Sequence, residues 1–149
     1  MPLTNFPNGV SSFGLPVYPA LSFPMPMLDG RANTGNVWFV DASNGSDNNV
    51  GNDALYPFAT IAKGLARCSK GDTVIVQGKE MAATDTDPGS YAETVSMTVP
   101  QVSLIGVSRG RTQGGLPQMK IGAGSTAMVT VQAPGCYIAN IGFNGASST

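Results

Sequence analysis

The chain has 149 residues, a formal net charge of −1 and only 11 % charged residues, which excludes a strongly basic nucleic-acid binder and an acidic disordered tail. Nineteen glycines and eleven prolines argue for an all-β protein rich in turns and against a helical bundle. With no histidine, the commonest general base and the commonest zinc ligand are both missing.

Residues 1–28, MPLTNFPNGVSSFGLPVYPALSFPMPML, carry no charged side chain and six prolines. The prolines forbid a long helix and disfavour central-strand pairing, so the segment should be extended, as polyproline II or loose β with turns such as Asn8-Gly9. Its apolar side chains would mark an interaction site if left in water. Burying about twelve of them gives on the order of 20–30 kcal/mol at best. Ordering the backbone costs roughly 1–2 kcal/mol per residue, as much or more. The arm should therefore order only against a surface that offers grooves and backbone partners, as in strand addition. Its candidate partner-binding residues are Leu3, Phe6, Val10, Phe13, Leu15, Val17, Tyr18, Leu21 and Phe23, with Phe6, Phe13, Leu15, Val17 and Tyr18 as the principal anchors. Fully extended it reaches about 90 Å, enough to touch another subunit; the plain alternative is that it wraps over its own domain. No membrane-spanning helix tolerates these prolines, and the basic region of a signal peptide is lacking, so the chain reads as a soluble protein made in the cytoplasm.

DGRANTGN, residues 29–36, is a polar hinge that closes the arm region, 1–36; the folded part should occupy 37–149. Val37–Val40 is a short apolar strand, and residues 41–53, DASNGSDNNVGND, form a loop by composition. Phe58, Ile61, Ala62, Leu65 and Cys68 recur at helical spacing, so a short amphipathic helix near 58–68 should follow Pro57, with Lys63 and Arg67 on its wet face. Lys70-Gly71-Asp72 stops it, and Thr73–Gln77 is a strand.

A repeat follows. Residues 94–105 read TVSMTVPQVSLI and residues 128–139 read MVTVQAPGCYIA. Aligning Pro100 with Pro134 pairs Val95 with Val129, Met97 with Val131, Val99 with Ala133, Val102 with Cys136 and Leu104 with Ile138. A further strand, Met119–Ile121, lies between the copies. Strand, corner and strand at this period suit a coil of a parallel β-solenoid, with the helix as a lid over one hydrophobic end. A β-sandwich is the alternative.

The residues offer little chemistry. Glu80, Asp85, Asp87 and Glu93 are the candidates for the paired carboxylates of a glycosidase, but they lie in or beside GKEMAATDTDPGSY, which reads as a solvated loop. Arg109 and Arg111, in SRGRTQGG, have no acidic cluster beside them. Asp41, Asn44, Asp47, Asn49 and Asp53 could offer oxygens to calcium, but the spacing is not that of an EF-hand, and Asx turns explain them better. Ser90 and Tyr91 have no base near in sequence. Cys68 and Cys136 form no CxxC pair and read as free thiols. No catalytic residue, metal or cofactor is expected.

VWFVDASNGSDNNVGNDALYPFATIAKGLARCSKGDTVIVQG with SYAETVSMTVPQVSLIGVS resembles the N-terminal part of right-handed parallel β-helix proteins of the pectin-lyase-like class, over about residues 37–143. The resemblance implies an all-β fold of about two to three coils capped by the short helix. It says little about activity, because that fold hosts lyases, hydrolases and inert fibres. MPLTNFPNGVSSFGLPVY resembles the N-terminus of tailed-phage head-fibre or capsid-decoration proteins. That resemblance implies a virion protein on the outer surface of the capsid, anchored to the major capsid protein through the arm, forming a homotrimer, and binding neither nucleic acid nor membrane. The anchor end of a tailspike or tail fibre is the nearest rival; a polysaccharide-degrading β-helix enzyme is a more distant one. The chain is shorter than such relatives, which leaves the open end continued in a longer fibre or covered by trimer partners.

Overall fold

A computed structural model of the protein describes residues 10–12, 15–17, 35–79, 90–107, 116–121 and 127–145. The described chain is mostly strand, with one short helix. Two strands of the arm, β1 (Val10–Ser12) and β2 (Leu15–Val17), pair antiparallel with Val10 opposite Val17 and Ser12 opposite Leu15. The arm thus holds a hairpin over residues 10–17; the turn expected at Asn8-Gly9 lies outside the described residues. Pro16 faces Ser11 in this ladder. Proline has no N–H to give, and a two-stranded ribbon, whose every strand is an edge, can place it at a non-hydrogen-bonded position.

The remaining strands form three parallel sheets. β3 (Val37–Val40), β4 (Thr73–Gln77), β7 (Ser103–Val107) and β10 (Tyr137–Ala139) make the first, in the order β10-β7-β4-β3. β5 (Ser90–Ala92), β8 (Gln118–Lys120) and β11 (Gly142–Asn144) make the second, in the order β11-β8-β5. β6 (Val95–Met97) and β9 (Val129–Val131) make the third. The chain visits the sheets in one order: β4, β5, β6, then β7, β8, β9, then β10 and β11. Each pass lies in register on the one before: Thr73 pairs with Ser103, Tyr91 with Met119 and Val95 with Val129. The pairs Val95–Val129, Met97–Val131 and Leu104–Ile138 are those of the sequence repeat.

The core is the set of inward positions on these strands. Val74, Val76, Leu104 and Met119 are fully buried, with Tyr91, Val95, Met97 and Val102 around them. The corners of the repeat also match. Gln101 and Gly135, each just after the aligned prolines, both have positive φ, at 60° and 73°, and Gln101 N–H donates to Pro134 O at 3.0 Å. At Gly106 the backbone of β7 lies so close to Asn140 O and the Pro117 ring that no Cβ fits.

The helix α1 runs over Ile61–Arg67 and packs against β3, β4 and β6 with Ile61, Gly64 and Leu65 buried. It is shorter than the apolar spacing suggested, because Phe58 is used as strand. Phe58 N–H donates to Phe39 O, Phe58 O accepts from Asp41 N–H, and Phe58 bridges Val40 in parallel sense. At the other end Cys68 is already extended, and its N–H closes the helix on Leu65 O. Phe39 N–H also donates to Gly51 O at 2.7 Å, so Gly51 and Phe58 together cover the outer edge of β3. Gly51 has φ 73° with the Phe58 ring lying where a Cβ would be, so no other residue fits there without strain.

Candidate functional site

Of the candidate anchors, Val10, Leu15 and Val17 fall on the hairpin strands. Leu3, Phe6, Phe13, Tyr18, Leu21 and Phe23 lie outside the described residues. β1 and β2 pair only with each other and join none of the three parallel sheets.

The described carboxylates face the chain's own backbone. Asp41 accepts from the N–H groups of Ser43 and Asn44 and from Asn44 Nδ2, and Asp53 accepts from Leu55 N–H, so both close Asx-type turns. Asp47 takes the N–H groups of Ala59 and Thr60 with one oxygen and the Thr60 hydroxyl with the other. Asn49 Nδ2 donates to Pro57 O at 2.8 Å. Glu93 reaches from between β5 and β6 to the start of α1, where its two oxygens accept from Ile61 N–H at 2.9 Å and Ala62 N–H at 2.8 Å. Thr60 Oγ1 adds the N-cap bond from Lys63 N–H. The first turn of the helix thus has its orphan donors met by three side chains from three parts of the chain. Glu80, Asp85, Asp87, Arg109 and Arg111 lie outside the described residues. Among the described residues, no three of His, Cys, Asp and Glu come together as a metal-binding group. No described helix is long and apolar enough to cross a membrane.

Asp72, read from the sequence only as part of a helix stop, is 1 % exposed. Its Oδ1 accepts from Asn36 N–H at 2.7 Å, and its Oδ2 accepts from Trp38 Nε1 at 3.0 Å and Ser69 N–H at 2.8 Å. One carboxylate thereby joins the last hinge residue, the first strand of the folded part and the exit of the helix. Gly35 passes against it so closely that a Cβ would collide with Asp72 Oδ1 and Gly71. The Tyr91 phenol is used in a similar way: it donates to Gln77 O at 2.7 Å and accepts from Ala42 N–H at 3.2 Å. Burial pushes its pKa up.

The two cysteines are free and half-buried. Cys68 Sγ donates to Gly64 O and Cys136 Sγ to Val99 O. Burial, and then the negative charge of Asp72, pushes the Cys68 thiol up to about 12, which keeps it protonated and poorly nucleophilic at neutral pH.

Among the described residues, large apolar side chains are exposed in two places besides Val107. Val50, Leu55 and Tyr56 stand on the loop before α1, and Val131 and Phe143 stand on the last strands of the third and second sheets.

No family model, curated protein or solved structure matches this chain. Its function is therefore to be read from the residues themselves. The described acids hold turns, a helix start and the last hinge residue, Asn36. The sequence alone missed Asp72, Glu93 and Tyr91 in these roles, because each has a backbone partner 14 or more residues away whose position only the fold decides.

Proposed function

We propose that the protein is a virion structural protein, a capsid decoration or head fibre, that anchors to the major capsid protein through its uncharged arm. In this reading the three parallel sheets are the faces of a right-handed parallel β-helix that stands outward from the capsid surface, with copies assembled as a homotrimer. The repeated order of the sheets and their in-register pairs support the β-helix.

The observation that carries the functional reading is the contrast between the two parts of the chain. Residues 1–28 have no charge and many large apolar side chains. The described acids of the folded part, Asp41, Asp47, Asp53, Asp72 and Glu93, each bind the chain's own backbone. Chemistry is spent on holding shape, and the surface that asks for a partner is the arm. Large apolar side chains are what dominate such anchoring interfaces.

The test is binding of the full chain and of a form lacking residues 1–28 to empty capsids. Loss of binding on removing the arm is expected; undiminished binding would sink the reading. A tailspike anchor would use the same arm on a tail protein, and virions lacking the gene would then lose tail rather than capsid density.

A further inference from the structure

The last two hinge residues belong to a repeat of corners. Register aligns Val37, Thr73, Ser103 and Tyr137, so the residues just before them, Asn36, Asp72, Val102 and Cys136, follow one another in a single column. The same backbone bond joins each step. Thr73 N–H donates to Asn36 O at 2.9 Å, Ser103 N–H to Asp72 O at 3.0 Å and Tyr137 N–H to Val102 O at 3.0 Å. One residue earlier stand Gly35, Gly71, Gln101 and Gly135, and the last three share a left-handed φ, at 85°, 60° and 73°. Gly35 and Asn36 therefore form the corner that begins the first pass.

Asp72 is out of keeping with its column. Val102, one step on, is as deeply buried at 1 % exposure, and Cys136 beyond it is half-buried, so the position accepts an apolar or weakly polar side chain. A buried carboxylate costs stability unless its oxygens are occupied. The acid stands at the step next to where the chain enters. There Oδ1 accepts from Asn36 N–H, and Oδ2 accepts from Trp38 Nε1 of the entering strand and from Ser69 N–H at the exit of α1. Gly35 lies against Oδ1 and Gly71 with no room for a Cβ. Asn36 is thus held through both its backbone groups, and Gly35 by close contact.

We propose that Asp72 is a positioning residue for the arm: it clamps the entering chain at Gly35 and Asn36, so that the arm departs from one fixed point beside the exit of α1. The proposal rests on the reading of the arm as an anchor. A clamped root leaves fewer residues to order when the arm meets its surface, because part of the ordering cost is already met by folding.

The test is hydrogen exchange at single amides of the full chain, read by NMR, for the unmodified protein, Asp72→Asn and Gly35→Ala. The second substitution keeps the carboxylate and drives the chain off it. In both variants Asn36 N–H should exchange about tenfold faster or more relative to Tyr137 N–H, which lies farther along the same ladder. A general loss of stability speeds both amides by the same factor, and that result overturns the clamp. Asp53→Asn, in an Asx turn of the loop before α1, should leave the ratio unchanged. Binding to empty capsids is measured next. Both variants should bind about threefold or more weakly than the unmodified chain; equal binding with Asn36 freed overturns the positioning role. An unmodified chain that does not bind capsids fails the anchor reading and the positioning role with it, while the exchange ratio still decides the clamp.

Discussion

A carboxylate that is 1 % exposed is tolerable only when its lone pairs are filled, and Asp72 fills them with three donors from two stretches of chain. Only an ionised carboxylate offers acceptors alone, so the geometry selects aspartate over asparagine. Asp72→Ala leaves the N–H groups of Asn36 and Ser69 and the Trp38 indole without their acceptor. A fully buried orphan costs about 1–3 kcal/mol, and these three donors are only partly buried, so water meets part of their need and a loss of about 2–4 kcal/mol is expected. Asp72→Asn keeps one oxygen and turns an amide nitrogen toward donors, and should lose about 1–3 kcal/mol. Urea unfolding followed through Trp38, the single tryptophan, reads both losses directly. A loss below about 1 kcal/mol for the alanine variant would mean that solvent replaces the carboxylate and that the arm root is not held as described.

At the scale of the element, the corners after Pro100 and Pro134 repeat a left-handed residue, but only the second is glycine. Gln101 holds φ 60° at the cost of its Cβ, a strain of about 1–2 kcal/mol that glycine does not carry. Part of the gain is returned through the freer unfolded chain. Gln101→Gly should therefore raise stability by about 0.5–1 kcal/mol, measurable as a higher urea midpoint at unchanged slope; a lower midpoint would show that the Gln101 side chain packing on Gly135 outweighs the strain. This corner also shows what the sequence made legible. Two apolar alternations around a proline gave the strand register, because side chains on a strand face one side every second residue and a slip by one would expose the whole set. The helix start was not legible. Phe58 has helical spacing to Ile61 and Leu65, yet its backbone serves β3, and Asp47 and Glu93 are what fix Thr60 and Ile61 as the beginning. Nor was the hairpin at Val10–Val17 legible, since Pro16 argues against pairing unless every strand concerned is an edge.

Across the whole molecule the charges are strongly segregated. All eight basic and nine acidic residues lie between Asp29 and Lys120, so the arm and the far end of the folded part are both uncharged. A surface without charge gains nothing from long-range attraction and loses nothing to screening ions. If the arm is the anchor, its affinity for capsids should hold between about 50 mM and about 1 M salt, a range over which the screening length falls from more than 10 Å to about 3 Å. Burial of apolar surface should instead appear as a negative heat-capacity change on binding. Titration calorimetry at several temperatures and two salt concentrations measures both quantities. A tenfold weakening at high salt would assign the contact to the charged middle of the chain, and the folded part would then have to touch the capsid itself. The arm strands join no sheet of the folded part, so removing residues 1–28 should abolish this salt-independent binding without moving the unfolding transition of the remainder. A shift of the transition by more than a few degrees would place the arm's apolar side chains on its own domain, and that apolar surface would already have a partner.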